Sequence, residues 1–209
     1  MKNGFVSRVW MGSLLAAMVA GSAFAGDVNL PPTMVGKVRQ VDPAEPIYAQ
    51  ANLGGAVKPA GQGGVSAGVV VELTEDMPVY RLWQDPPPPG AAYNNRIGGW
   101  WSFDKPYGSR EGYRRAYEIC GQWNALNMVA SCKLTKGAVV VVGPGQSVSP
   151  YTCNDASGHE SYEANDSDWQ IYVDSAYKNP ALVCPPQSAD YVDDPSEISR
   201  PVAAPTKAK

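Results

Sequence analysis

The chain reads as an α+β fold: a small mixed or antiparallel sheet core with one main helix, braced by two disulfides and flanked by flexible N- and C-terminal segments. Three observations predict it. Short β-branched and aromatic runs end at turn residues, a single stretch carries helical spacing, and all four cysteines follow an apolar leader.

The strands come first. GVVVEL (68–73) and PVYRLW (78–83) are β-branched or aromatic and are separated by a polar TED break, and GGWWSF (98–103) is a short aromatic strand entered through two glycines. GAVVVVGPG (137–145) is a continuous apolar run too short for a comfortable helix. It predicts a central strand buried on both faces. In DWQIYVDS (168–175), Trp169, Ile171 and Val173 alternate with Gln170, Tyr172 and Asp174, the pattern of a half-buried strand.

The helix is expected in SREGYRRAYEICGQWNAL. Ser109 is a good N-cap, Glu111 complements the first turn, and Tyr113, Tyr117 and Cys120 recur at helical spacing, with Gly121 expected to end it.

The ends differ in composition. Residues 1–25 place Lys2 and Arg8 before an apolar stretch and an Ala23-Phe24-Ala25 triplet, the order of a secretory signal peptide. Residues 26–67, rich in Gly, Pro and Ala without sustained periodicity, read as a largely flexible leader with one short docked piece near EPIYAQ, and 185–209 as a low-complexity tail. The compact domain is then 68–184. No second apolar run is long enough to span a bilayer, so the protein is expected in the periplasm or outside the cell.

Without Lys2 and Arg8, 15 of the 17 basic residues remain against 20 acidic ones, a balance that disfavours nucleic acid and anionic membranes as partners. In an exported chain Cys120, Cys132, Cys153 and Cys184 read as two disulfides. Three connectivities are open, and proximity favours Cys120–Cys132 with Cys153–Cys184. The spacings lack CxxC pairs and the only histidine is His159, so no metal site is expected.

The chemistry centres on MPVYRLWQDPPPPG. Alternation puts Val79, Arg81 and Trp83 on one strand face, so the Arg81 guanidinium points to the interior or to a cleft. Such a cation needs an anionic partner. One reading is an internal salt bridge with Asp85 or Asp104. The other is a clamp for a ligand phosphate or carboxylate beside the stiff wall of four prolines.

VYRLWQDPPPPG resembles the opening strand of secreted bacterial ADP-ribosyltransferase toxins, in which a Tyr-Arg pair ends the first strand and a proline-containing segment follows. GGWWSFDKPYGSREGYRRAYEI is similar, more loosely, to the Gly, Ser/Trp-Thr, proline and Tyr-Arg helix order of that broad group, which includes NAD-degrading domains. The resemblance implies a secreted toxin domain that binds NAD as substrate and cleaves its nicotinamide–ribose bond, by ADP-ribosyl transfer or hydrolysis, with a host or competitor protein as the transfer target.

On it, Arg81 holds the pyrophosphate or nicotinamide ribose, and Ser102 stands where the family has the strand serine or threonine that orders the nicotinamide pocket. For the third element, Gln170 is the first choice and Glu160 and Glu163 are the alternatives. The family's Glu-x-Glu or Gln-x-Glu pair is absent, which NAD hydrolysis tolerates better than transfer does. Trp83, Trp100, Trp101 and Trp169 are candidates to stack on nicotinamide or adenine. The alternative is a non-catalytic exported binding or envelope-associated module, in which the aromatics and Arg81 are structural.

Overall fold

The computed structural model describes residues 30–87, 90–91 and 95–192. The signal-peptide segment, Pro88 and Pro89 of the proline arm, and the tail beyond residue 192 lie outside them.

The fold is α+β, with two antiparallel sheets. The first contains β1 (Val38–Gln40), β2 (Val69–Leu73), β6 (Val139–Gly145), β7 (Asn165–Tyr172) and β4 (Trp100–Trp101), hydrogen-bonded in the order β1-β2-β6-β7-β4. The second is built on β5 (Met128–Leu134), which pairs with β3 (Met77–Trp83), β8 (Leu182–Val183) and β9 (Tyr191–Val192). The sheets touch through a bridge between Tyr80 and Ser102, whose backbone N–H and C=O groups are exchanged at 2.8 and 2.9 Å. That bridge sets Arg81 of β3 beside Trp100 of β4.

The main core fills the space between the sheets. Val71, Val140, Val142 and Ile171 of the first meet Val79, Trp83, Ala130 and Leu134 of the second. β6 alternates as a doubly buried strand must. Val140 and Val142 face this core, while Val139 and Val141 face a second cluster on the outer side of the sheet.

That outer cluster corrects the expectation of a flexible leader. Val41, Ala51, Ala56 and Val65 cover Val70, Val139 and Val141, through β1, a 3-10 turn at Pro46–Ala51 and the single helical turn α1 (Leu53–Ala56). The covering residues are mostly small and their elements short, so no periodicity marks them. What orders them is the apolar sheet face they exclude from water.

The proposed tail boundary also moves. Asp190 is buried in an ion pair with Arg96, at 2.6 and 2.7 Å, and Arg96 also donates to the Pro185 carbonyl at 2.8 Å.

The main helix, α2 (Arg110–Ala116), lies on the outer face of the second sheet, where Tyr113 packs with Leu82, Leu126 and Val129. Ser109 caps it by accepting from the Gly112 N–H at 3.0 Å. The helix ends at Ala116, five residues before the expected Gly121, because Glu118 adopts a left-handed φ of 47°. Arg114 holds the turn that follows, donating to the carbonyls of Ile119, Cys120 and Asn124.

The disulfides are Cys120–Cys153 and Cys132–Cys184, not the pairs favoured by proximity. Strand register explains the second. Lys133 opposes Val183 across the antiparallel β5–β8 pair, so Cys132 stands opposite Cys184, with Cα atoms 4.4 Å apart. The first ties the segment after α2 to the 148–155 loop and packs with Val148. With all four sulfurs bridged, none is free to ligate metal. Among the described residues no helix is long and apolar enough to cross a membrane.

Candidate functional site

Where β3, β4, β7 and the end of α2 converge, the fold leaves a cavity of about 140 Å³. Arg81, Trp100, Trp101, Tyr117, Glu118 and Gln170 are among the residues that line it. Four of these are candidates named by the sequence: Arg81, Trp100, Trp101 and Gln170.

Arg81 donates from Nε to the Asn95 carbonyl at 3.1 Å and from one terminal nitrogen to the Trp100 carbonyl at 2.8 Å. Both acceptors are neutral. Among the described residues no carboxylate lies within ion-pair distance, Asp85 and Asp104 included. Desolvation holds its pKa below the usual arginine value. The guanidinium lies close against Gly98, where an added Cβ would collide with it. Two backbone carbonyls thus orient this cation without neutralising it.

Gln170, 5 % exposed, donates its side-chain amide to a Glu118 carboxylate oxygen at 2.8 Å and to the Tyr117 carbonyl at 3.3 Å. Glu118 is the residue the sequence reading missed. It is 1 % exposed, and its Oε1 is buried without a hydrogen-bond partner. Burial pushes its carboxyl up to about 9; the Gln170 amide opposes the shift and the charge of Asp168 adds to it.

Room for this carboxylate comes from Gly145, where an added Cβ would run into both its oxygens. The β6–β7 ladder shifts register between Pro144 and Gly145 at this point, a bulge of the kind that re-aims strands beside functional sites. A left-handed non-glycine residue, an orphaned carboxylate oxygen and a bulged glycine that accommodates it all meet on one side chain.

The remaining sequence candidates fall outside the cavity. Ser102, 1 % exposed, stands behind the wall: its hydroxyl bonds the Tyr117 hydroxyl at 2.8 Å and the backbone of Asp104. It positions Tyr117 and meets no ligand directly. Trp83 is fully buried in the inter-sheet core and cannot stack on a ligand, and Trp169 only packs against that core. Glu160 accepts from the Gly121 N–H and from the Tyr162 hydroxyl, so it fixes the turn beside Cys120. Glu163 is exposed on the loop before β7. Both acids miss the site because the strand that enters it begins only at Asn165.

A second hollow of about 230 Å³ adjoins the first, sharing Tyr113 and Tyr117 as walls and lined also by Lys105, Tyr107 and Asp168. The two rings pack at 4.5 Å between centroids and partition the two spaces.

No family model matches the chain, and no curated protein and no solved structure is significantly similar to it.

Proposed function

We propose that this cavity binds the nicotinamide–ribose end of NAD and that the protein cleaves the bond between ring and sugar, by hydrolysis in preference to transfer. The observation that carries the reading is the arginine. Arg81 is oriented by two carbonyls, left without a carboxylate, and turned into a hollow walled by Trp100, Trp101 and Gln170. Such a guanidinium suits a phosphate that arrives with a ligand.

Size supports only one end of the dinucleotide being enclosed. A volume of about 140 Å³ is below the roughly 300–1,000 Å³ of sites that engulf a whole drug-sized ligand. In this reading an aromatic ring lies against Trp100, the phosphates reach Arg81, and the adenosine remains outside. Holding the ring and the phosphates at separate points leaves the glycosidic carbon facing the carboxamide–carboxyl pair of Gln170 and Glu118, where positive charge that develops at the sugar is stabilised.

The test is nicotinamide release from NAD by purified protein and its Arg81→Ala variant. Release that falls at least about a hundredfold in the variant supports the reading, the loss expected when one oriented charge contact is removed. Background release from both removes the enzyme and leaves an exported binding module.

A further inference from the structure

Arg81 and Glu118 face one cavity, and neither is the other's partner: Arg81 bonds two carbonyls, while Glu118 bonds Gln170 and keeps Oε1 free. A fold that needed only internal stability would join them or make one of them apolar. Kept apart, they make a cavity with an anion-seeking point and a potential cation-seeking point. We propose that Glu118 is the catalytic carboxylate of this site: it releases its proton when a cationic ring enters beside it, and takes one back from the water that attacks the sugar. This deepens the NAD reading and rests on it.

The groups around Glu118 define what that proton responds to. Asp168 opposes ionisation, the Gln170 amide and the Asn165 backbone N–H favour it, and Arg81, Tyr113 and Tyr117 face the same cavity. Unliganded, the carboxyl is kept neutral near pH 7 by burial. A pyridinium ring brings positive charge into a space where charge interactions are strong, and it tips the balance to carboxylate.

The step balances. The N–C1′ electron pair goes to the ring nitrogen, so nicotinamide leaves neutral and C1′ becomes an oxocarbenium facing the carboxylate. A water oxygen then bonds to C1′, and the proton it loses returns Glu118 to its neutral state. The one proton that hydrolysis liberates is thus released on binding. The left-handed turn at Glu118 and the bare Cα of Gly145 hold the carboxylate where this can occur.

Two probes test it without turnover: 1-methylnicotinamide, a permanent cation that cannot be cleaved at ribose, and neutral nicotinamide. Calorimetry of the wild-type protein near pH 7, in two buffers of different ionisation enthalpy, is expected to show about one proton released with the cation and none with nicotinamide. Glu118→Gln is expected to abolish that release and weaken the cation about tenfold or more, while nicotinamide stays within about twofold.

Absence of proton release from wild type overturns the proposal whether or not the variant folds, as does a variant that binds the cation as well as wild type. If the cation behaves as expected but NAD is not cleaved, the NAD reading fails while the charge-matching role of Glu118 stands. If neither probe binds, both fall.

Discussion

The two disulfides close loops of similar length, so removing either is expected to cost similar stability, but only one of them holds the cavity. The sequence separations are 33 and 52 residues. Chain-entropy arithmetic for loops of that size gives about 3.7 and 4.1 kcal/mol at 25 °C. The difference, about 0.4 kcal/mol, is within the error of extrapolated unfolding free energies. Function separates them. Cys120 is two residues from Glu118, and the segment carrying both is otherwise held by the Arg114 contacts to Ile119, Cys120 and Asn124, by Glu160 on the Gly121 N–H, and by the Gln122 side chain on the Cys153 carbonyl. Cys132–Cys184 ties β5 to β8 inside the second sheet, away from the cavity wall. The Cys120→Ala/Cys153→Ala and Cys132→Ala/Cys184→Ala proteins should therefore unfold in urea within about 1 kcal/mol of each other. Per folded molecule, the first should lose most of its nicotinamide release and the second little. Equal activity losses in the two would refute the view that the 118–124 segment is held in place by its own bridge.

Three further outcomes follow from the same geometry. Gly145→Ala puts a methyl group into the Glu118 carboxylate, so it should cost about 1–3 kcal/mol in urea unfolding and reduce NAD cleavage together with it. Glu118 is raised in the folded state from 4.5 to about 9, so across that window the native state binds the extra proton; stability should fall as pH rises through it, and Glu118→Gln should flatten the profile measured by urea unfolding at several pH values. Trp83→Phe removes a buried indole N–H that has no partner, which offsets part of the lost packing; it should destabilise modestly in thermal melts and leave nicotinamide release per folded molecule unchanged, because Trp83 does not line the cavity.

Much of the fold was legible because local pattern and tertiary role coincide. The valines of 139–142 read as doubly buried, and they alternate between two cores. Ser109 reads as a helix cap and is one. Legibility ended where burial depends on a distant partner. β5, Met128–Leu134, is the strand on which the second sheet is built, yet its buried positions include Ala130 and Cys132, which advertise little β preference. Residues 38–57 carry no period because they serve as a lid on a sheet face formed by residues far along the chain.

The site divides in the same way. Arg81, Trp100, Trp101 and Gln170 lie on strands that the residue pattern marks, and they meet at one cavity, although alternation alone sets Trp100 opposite Trp101 and Gln170 on the polar face of its strand. Ser102, on the same aromatic strand, faces inward to Tyr117 instead. Glu118 was hidden because AYEIC continues the helical spacing through Cys120, and nothing local announces that the backbone turns left-handed at 118. Gly145 reads only as the end of the apolar run 137–145, and what approaches it comes from 27 positions earlier in the chain.

The separation of Arg81 from Glu118 is the step on which site and chemistry join. Had the guanidinium reached the carboxylate, each would have satisfied the other, Glu118 would ionise at ordinary pH, and an entering cation would have to break that pair before gaining anything. Because two backbone carbonyls hold Arg81 apart from Glu118, burial keeps the carboxyl neutral against the pull of the Gln170 amide, and the guanidinium stays available at once. A ligand carrying both a positive ring and a negative phosphate is then the species that gains from both points together. A ligand carrying only one of those charges engages half of the site. Inorganic pyrophosphate and 1-methylnicotinamide should accordingly bind independently of each other, each weaker than NAD, with the pyrophosphate sensitive to Arg81→Ala and indifferent to Glu118→Gln. Cross-sensitivity, with Glu118→Gln loosening pyrophosphate about tenfold or more, would mean that the two charges act as a pair, and the assignment of separate roles would not survive it.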